Sequence, residues 1–475
     1  MQTFFWHDYE TWGADPSIDR PSQFAGVRTD LELNIIDEPV VHYCQPPPDV
    51  LPHPEACLVT GITPQLASEK GLLEYQFAKA IFDELARPGT CGAGYNSIRF
   101  DDEVSRYLFY RNFYDPYERE WRNGNSRWDI IDVVRLCYAL RPDGIEWPFV
   151  DGKPSFKLEN LSIANNITHI NAHDAYSDVV ATIEMAKLIR EKQPKLYHYC
   201  FKHRSKVEAG SLIDLNNNKP LLHISSKFSS TNGCAALVAP VAMHPTNKNA
   251  VIAFDLAGDP GVLEELDIDE IRHRLFTPSN ELPEGVERVP LKSIHLNKCP
   301  ILVTPKLLDK TIAARLNLDI ETNEKNWQKL LKLNVAEKIT SVFDDENFAP
   351  RKDPERQLYN GFINNRDKST FAHIRDASAE DLKERTFYFD DNRLSEVFFR
   401  YRARNFPQSL SSDEEKQWQE FVAERLQHGD EACLSIAELR LRIENLKKSD
   451  TSHDDSKILQ ALDNYAAGLV LPSGP

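Results

Sequence analysis

The sequence lacks the patterns that mark a disulfide-bonded or zinc-bound protein. Its eight cysteines are scattered along 475 residues, and none forms a C-x-x-C pair or joins a histidine cluster. This spacing excludes a disulfide framework and is typical of reduced thiols. Residues 1–12 have no basic start or apolar core, and Asp8 and Glu10 lie where a signal peptide would be apolar. We therefore expect no secretion signal and a cytoplasmic protein.

Long apolar runs and an excess of positive charge are also missing. The most apolar window, 235–243, is broken by Pro240 and is far shorter than the roughly 20 residues that span a bilayer. We therefore expect no membrane segment. The formal net charge of −17 argues against a protein that coats nucleic acid through bulk charge, but it leaves room for a local basic groove. The length allows two to four domains.

The most informative stretch that is present is T-F-F-W-H-D-Y-E-T-W at 3–12. Its β-branched and aromatic residues predict a strand, and side chains two positions apart in a strand point to the same face. Asp8 and Glu10 therefore face the same way, and they repel each other unless a cation lies between them. Mg²⁺ and Mn²⁺ prefer such oxygen ligands. A polar strand end that meets solvent is the alternative for this motif alone.

Two further acidic positions follow along the chain. Asp101 comes after a predicted strand and opens a helix, where a carboxylate also suits the helix dipole. Asp174 is predicted to cap a second helix, and Asp178 lies one turn further on the same face, so the two like charges repel unless a cation joins them. His173 precedes this cap on a loop, where an imidazole can exchange protons near neutral pH. Helix capping and an exposed or structural histidine are the alternatives.

The order D-x-E, N-x-x-x-F-D and H-x-x-x-x-D within one α/β segment resembles the DEDDh family of 3′→5′ exonucleases, which have an RNase H-like fold. Longer stretches are similar to the bacterial exonuclease I family. These are H-D-Y-E-T-W-G (7–13), G-Y-N-S-I-R-F-D-D-E-V (94–104), R-N-F-Y-D-P-Y (111–117), P-S-F-K-L-E (154–159), N-A-H-D-A (171–175) and Y-R-A-R-N-F-P (401–407).

The resemblance implies three domains in order. We expect an α/β RNase H-like exonuclease domain at 1–192, an SH3-like β-barrel domain at 193–347 and an α-helical C-terminal domain at 348–475. The first boundary falls at Gln193-Pro194, after which the alternation of strands and helices gives way to strand-like runs. Examples of these runs begin at Leu221, Ala236, Ala250 and Pro300. Beyond 344–355 the chain becomes rich in Glu, Lys, Leu and Arg with helical periodicity, as over 436–446.

The resemblance also implies the chemistry. Two Mg²⁺ ions per active site, with Mn²⁺ as a substitute, supply the water activation and charge stabilisation that phosphodiester hydrolysis needs. In the family pattern Asp8 bridges both ions, Glu10 and Asp178 hold the ion that activates water, and Asp101 supports the other. His173 is then the general base that takes the proton from water. All five positions carry the residue type of the family.

A groove for single-stranded DNA should combine cations for phosphates with aromatic rings on which bases stack. Tyr117 and Trp121 are four residues apart and are expected to share one helix face. We place Phe156 near the terminal base and Lys157 on a phosphate, although lysine lacks the bidentate fork of the arginine usual in the family. Packed core aromatics and a solvated basic turn around Lys206 are the alternatives. The full set of candidates is Arg106, Tyr117, Trp121, Arg135, Arg141, Phe156, Lys157 and Lys206.

The predicted function is processive 3′→5′ degradation of single-stranded DNA to 5′-mononucleotides by a monomer that serves DNA repair and recombination. By resemblance, a further partner is the acidic C-terminal tail of the single-strand-binding protein, for which Arg141, Tyr199 and Lys219 are candidates. An RNase T-like enzyme that trims RNA or clears oligonucleotides is the alternative within the family, but such enzymes usually end after the nuclease domain. A non-catalytic DNA-binding adaptor would need a broken carboxylate set, and the set is intact.

Overall fold

The computed structural model describes residues 2–169, 173–344, 351–430, 433–448 and 452–469. Within these ranges the strands are β1 (Thr3–Thr11), β2 (Pro21–Thr29), β3 (Val40–Tyr43), β4 (Thr90–Gly94), β5 (Ser126–Asp129), β6 (Phe149–Val150), β7 (Lys153–Pro154), β8 (Leu221–Ile224), β9 (Ala235–Met243), β10 (Ala250–Asp255), β11 (Leu291–His295) and β12 (Ile301–Val303). The α-helices are α1 (Pro54–Thr60), α2 (Pro64–Lys70), α3 (Glu74–Leu85), α4 (Asp101–Arg111), α5 (Ile131–Leu140), α6 (Leu158–Ala164), α7 (Ala175–Lys192), α8 (Pro194–Lys202), α9 (Lys206–Gly210), α10 (Val262–Glu265), α11 (Ile268–Phe276), α12 (Lys310–Arg315), α13 (Ile320–Leu330), α14 (Ala336–Asp344), α15 (Asn365–Arg375), α16 (Ala379–Glu384), α17 (Asn392–Asn405), α18 (Ser412–His428), α19 (Ile436–Lys447) and α20 (His453–Gly468).

The chain divides into two compact units. The first consists of Met1–Ser126, His169–Val180 and Ala349–Pro475, and the second of Arg127–Thr168 and Ala181–Phe348. Among the described helices, none combines the length and the apolar character that crossing a membrane requires.

The sheet of the first unit has its strands in the order β3-β2-β1-β4. β1 runs antiparallel to β2 and parallel to β4, and β2 runs antiparallel to β3. Aromatic residues of β1 and β2 pack against those of α3 and α4 in a buried cluster that includes Phe5, Phe24, Phe77 and Phe109. The predicted strand at the start of the chain is present, and it lies in the interior of the sheet with both neighbours hydrogen-bonded to it.

The C-terminal helices of the first unit pack against its N-terminal part. Trp12 and Leu51 share a buried cluster with Leu439, Ile443 and other residues of α19 and α20. A second cluster joins aromatic residues of α4 to α15 and α17. Each fully buried leucine contributes roughly 1.5–3 kcal/mol to folding through the hydrophobic effect. The helical character predicted for the C-terminal region is confirmed, whereas the predicted boundaries at 192 and 347 stay predictions.

The second unit is built around a five-stranded sheet in the order β11-β10-β9-β8-β12. Every adjacent pair in this sheet is antiparallel, and its buried cluster includes Leu221, Val238 and Leu302. Pro240 lies opposite Ala253 beside a shift in register, as expected because proline has no N–H for the ladder. The strands predicted at 221, 236, 250 and 300 are all present within a residue or two.

Candidate active site

Strand β1 positions the first two carboxylates. Asp8 lies opposite Ala25 and Glu10 opposite Gln23, and the register shifts between Glu10 and the next residue. Such bulges often re-aim a side chain beside an active site. Glu10 is buried, and Asp8 is partly buried. The alternation expected from the sequence therefore places both carboxylates on one face, in surroundings where an unneutralised charge is unfavourable.

Asp101 is held directly against β1. It is the first residue of α4, it is buried, and its Oδ1 accepts a 2.9 Å hydrogen bond from the backbone N–H of Tyr9. Tyr9 stands between Asp8 and Glu10 in the chain, so this bond brings a third carboxylate to the same end of the strand. The Tyr9 hydroxyl lies 3.0 Å from Ser105 Oγ one turn along α4, which gives this helix a second link to β1.

Asp178 completes the set from the first turn of α7. Carboxylate oxygens of Asp8, Glu10 and Asp178 all lie within 4.8 Å of one another. The predicted capping role of Asp174 is present, since its Oδ2 accepts a 3.3 Å hydrogen bond from the backbone N–H of Ser177. Three segments distant in sequence thus converge on one small volume.

The electrostatics of this cluster are those of unneutralised carboxylates. Burial, followed by repulsion from Asp178, Asp101 and Asp174, raises the pKa of Glu10 to about 9. Burial and the same kind of repulsion, led by Asp101 and Glu10, raise the pKa of Asp8 well above its usual value. The pKa of Asp178 is also raised, mainly by burial. A cation among these oxygens would reverse the shifts.

The two histidines near α7 are placed differently. His173, the predicted general base, is exposed and has a left-handed backbone with φ of 67°. His169, which the sequence analysis did not single out, donates or accepts a short hydrogen bond between its Nε2 and Asp178 Oδ1, and its side chain is 5% exposed. The only available signal was a second histidine four residues before the first. Residues 170–172, which include the first two residues of the N-A-H-D-A motif, lie outside the described residues.

The cluster fits a divalent cation. Its donors are carboxylate oxygens from β1, α4 and α7, which is the ligand type that Mg²⁺ and Mn²⁺ prefer. Burial and mutual repulsion raise the pKa of Asp8 and of Glu10, and a bound cation would relieve this repulsion. The residues that would hold the ion are Asp8, Glu10, Asp101 and Asp178.

Of the DNA candidates in the first unit, only Trp121 is well exposed, at 65%. Arg106 is buried, and its guanidinium donates hydrogen bonds to Glu103, Glu120 and the Tyr359 hydroxyl. Tyr117 is partly buried beneath that guanidinium. The expected shared helix face is wrong, because Tyr117 and Trp121 flank a short 3-10 turn at Glu118–Glu120. Their segment includes a proline and a glycine, which do not favour a continuous α-helix.

The candidates in the second unit fall into two groups. Phe156 and Arg135 are buried, and the Arg135 guanidinium lies 5.8 Å from the Phe156 ring centroid. Lys157 and Lys206 are exposed, and Lys206 Nζ donates a 2.6 Å hydrogen bond to Asn249 Oδ1. The lysines are therefore open to a phosphate group, whereas Phe156 has mainly a packing environment.

The three candidates for a protein partner also lie in the second unit. Arg141 and Lys219 are exposed. Tyr199 is half-buried, its hydroxyl donates a 2.7 Å hydrogen bond to the Leu302 carbonyl, and its ring lies 4.1 Å from that of His203. Two cations and an aromatic ring are thus available on this unit's surface.

Known families match most of the chain. The carboxylate cluster on the α/β sheet is the arrangement of a divalent-metal site, and residues 5–186 match the family described as Exonuclease. Residues 204–345 match the Exonuclease I SH3-like domain, and residues 352–469 match the Exonuclease I C-terminal domain. The chain belongs to the exonuclease I family. The predicted order of an exonuclease domain, an SH3-like domain and a helical C-terminal domain is confirmed.

Individual relatives are similar to this chain over nearly its full length. Exodeoxyribonuclease I of Escherichia coli (strain K12) is 48% identical over 482 residues, which cover 99% of this chain and 98% of that protein. The Haemophilus influenzae exodeoxyribonuclease I is 46% identical over 473 residues, covering 98% and 99%. A zinc-bound E. coli exonuclease I complex with single-stranded DNA has a TM-score of 0.94 at 44% identity and covers 99% of both chains. The chain is an exodeoxyribonuclease that depends on a divalent metal ion, and the RNA-trimming alternative is not favoured.

Proposed function

We propose that this chain hydrolyses single-stranded DNA from its 3′ end and releases 5′-mononucleotides, using two Mg²⁺ ions for which Mn²⁺ can substitute. The observation that carries the proposal is the convergence of Asp8, Glu10 and Asp178 oxygens within 4.8 Å of one another. Solved relatives that hold single-stranded DNA support the choice of substrate.

The residues of the site have distinct tasks in this proposal. Asp8, Glu10, Asp101 and Asp178 would hold the metal ions, which when bound activate water and stabilise charge on the phosphoryl oxygens. The Tyr9 N–H keeps the Asp101 carboxylate turned toward β1. His173 takes the proton of the attacking water, and its exposure lets it pass that proton to solvent.

The proposed DNA contacts combine stacking and phosphate binding. Trp121 offers an exposed ring for a base, which is worth about 1–3 kcal/mol. Lys157 and Lys206 offer exposed ammonium groups for phosphates. The other members of the proposed set are Arg106, Tyr117, Arg135, Arg141 and Phe156.

Digestion of a 5′-labelled single-stranded DNA oligonucleotide tests the activity. With Mg²⁺ we expect a ladder that shortens from the 3′ end, and no ladder with EDTA. The same oligonucleotide in RNA should stay intact. Shortening of RNA in preference to DNA would contradict the proposed substrate.

We also propose that the enzyme acts as a cytoplasmic monomer in DNA repair and recombination and stays on one strand between cuts. Addition of excess unlabelled DNA after the reaction starts should then leave fully degraded and untouched strands, with few intermediates. Release after each cut would give a spread of lengths instead. Light scattering of the purified chain tests the monomer.

The acidic C-terminal tail of a single-strand-binding protein is the proposed protein partner, bound by Arg141, Tyr199 and Lys219. Two exposed cations suit its carboxylates, and the Tyr199 ring suits an apolar side chain. A labelled tail peptide should bind a Lys219→Glu variant about tenfold more weakly. The matched control is Lys416→Glu on α18, a lysine that is 77% exposed. Equal affinity for both variants would remove Lys219 from the site.

A further inference from the structure

A buried glutamine joins the strand pair of the active site to the helix that carries Asp178. Gln23 lies opposite Glu10 in the register of β1 and β2, and it is 1% exposed. Its Nε2 donates a 3.0 Å hydrogen bond to Asp174 Oδ1. Its Oε1 accepts a 3.1 Å hydrogen bond from the backbone N–H of Ala175. Both ends of one side-chain amide therefore hold successive residues at the start of α7.

This contact reaches Asp178 through a single helical turn. The backbone N–H of Asp178 donates a 3.1 Å hydrogen bond to the Asp174 carbonyl. Gln23 fixes Asp174 and Ala175, so it also fixes the turn from which Asp178 projects. Since Gln23 is the cross-strand partner of Glu10, one side chain links the strand pair that carries Glu10 to the helical turn that carries Asp178.

Gln23 also holds the carboxylate of Asp174, which lies near the proposed metal ligands. Asp174 is close enough to raise the pKa of both Asp8 and Glu10, yet it is not among the three residues whose oxygens converge. Both of its oxygens are engaged, Oδ1 by Gln23 and Oδ2 by the Ser177 N–H. Without the Gln23 donor, Oδ1 would have an unsatisfied charge next to the proposed metal site.

We propose that Gln23 is a positioning residue for metal binding, which holds Asp174 as a helix cap and sets Asp178 against Asp8 and Glu10. The inference rests on the proposed function, because it takes these carboxylates as the metal ligands. Gln23 itself contributes no ligand. Loss of residues that orient metal ligands typically weakens metal binding by about 10–100-fold.

Binding of Mn²⁺ to the full chain without DNA, measured by electron paramagnetic resonance, gives a readout separate from hydrolysis. Gln23→Met keeps a similar volume and removes both hydrogen bonds, and it should weaken Mn²⁺ binding by about tenfold. Gln45→Met is the matched control, because the Gln45 amide donates hydrogen bonds to the Ser68 and Gly71 carbonyls instead. It should bind Mn²⁺ like the unchanged protein.

A reciprocal exchange distinguishes positioning from general loss of structure. Gln23→Glu alone sets a carboxylate against Asp174 and leaves Asp174 Oδ1 without its donor. Combining it with Asp174→Asn restores one donor and one acceptor with the same net charge. The double variant should recover Mn²⁺ affinity to within about threefold of the unchanged protein, since both hydrogen bonds can form again.

Three results would overturn the inference. They are unchanged Mn²⁺ affinity in Gln23→Met, no recovery in a double variant whose circular dichroism is native, and equal weakening in Gln45→Met. The proposed metal site is tested independently by Asp8→Asn. If that variant binds Mn²⁺ as well as the unchanged protein, the assignment of the ligands fails whatever Gln23 does.

Discussion

Two groups of carboxylates in the first unit lie in opposite electrostatic surroundings. One is the proposed active-site group of Asp8, Glu10, Asp101 and Asp178. The other consists of Asp49 and Glu355, which lie among arginines. Burial by itself would raise the pKa of Asp49, but Arg404 and Arg425 lower it below its usual range. Arg404 and then Arg20 lower the pKa of Glu355 in the same way, against the effect of burial. The pKa values of Asp8 and Glu10 are raised instead.

The arginine-bound group is tightly paired. Arg404 donates two hydrogen bonds to Asp49, of 2.8 and 2.7 Å, and its Nη2 lies 2.9 Å from Glu355 Oε2. Arg20 reaches the same Glu355 oxygen at 2.9 Å, and Arg425 reaches Asp49 at 3.1 Å. Bidentate guanidinium contacts of this kind are the strong form of the charge-assisted hydrogen bond. They join the N-terminal part of the unit to α17 and α18.

The difference distinguishes carboxylates that stabilise the fold from carboxylates that are proposed to bind a metal ion. Both groups use the same residue types, but one carries its counter-charge in the chain and the other must take it from solution. A buried carboxylate with its own arginine is neutralised permanently and stabilises one fold. A buried carboxylate cluster that repels itself reduces stability, and it persists because a cation completes it.

Removing one charge from the active-site group should abolish activity while stabilising the metal-free protein. For Asp8→Asn we expect a loss of about 10³-fold in rate, roughly 4 kcal/mol of barrier, because metal binding fails. In EDTA the same change should raise the free energy of unfolding by about 1–2 kcal/mol, since a repelling charge is gone. Oligonucleotide digestion and urea denaturation give the two numbers. If Asp8→Asn is less stable than the unchanged protein in EDTA, the proposed repulsion among these carboxylates is contradicted.

Substitution of the two histidines near Asp178 should reduce the rate of hydrolysis by different amounts. His173→Ala removes the proposed base, and we expect a loss of about 10²–10⁴-fold in rate. His169→Ala removes the hydrogen bond that orients Asp178 and leaves the proposed base in place, so the loss should be about 10–100-fold. Single-turnover hydrolysis at saturating Mg²⁺ measures both. A larger loss for His169→Ala would transfer the role of the base to that residue.

Breaking the arginine-bound group should reduce stability and spare the chemistry. Arg404→Met leaves Asp49 and Glu355 short of positive charge, and we expect a loss of about 3–5 kcal/mol in the free energy of unfolding. The control is Arg366→Ala, because Arg366 is 76% exposed and pairs with Asp390 on the surface. Its loss should be about 0–1 kcal/mol. Equal effects in urea denaturation would contradict a special role for the buried group.

The sequence predicts best those features that follow from the spacing of residues along the chain. Asp8 and Glu10 share a face because a strand alternates, and Asp174 and Asp178 are one turn apart because a helix repeats. Contacts made by folding have no such signal, because their partners are far apart in sequence. Gln23 meets Asp174 across 151 positions, and the larger separation of 355 positions lies between Asp49 and Arg404. Nothing in the sequence distinguished the arginines of such networks from those that bind phosphate.

The stability of the metal-free protein should fall as the pH rises from about 5 to 9. Burial and repulsion raise the pKa of Glu10 from its ordinary 4.5 to about 9, so in this window the folded protein holds a proton that the unfolded chain has released. The free energy of unfolding then decreases by about 1.4 kcal/mol per pH unit for each such proton. Asp49 and Glu355 do not contribute to this slope, because their lowered pKa values make their contribution constant above about pH 5.

Urea denaturation in EDTA at several pH values measures this slope, and two changes should flatten it. Glu10→Gln removes the titrating group itself. Saturating Mg²⁺ supplies the missing charge, so the carboxylates ionise in the folded state as readily as in the unfolded chain. A slope that survives both changes would place the titration elsewhere, and stability that rises with pH in EDTA would mean that the active-site group is already neutralised by the chain, as Asp49 and Glu355 are.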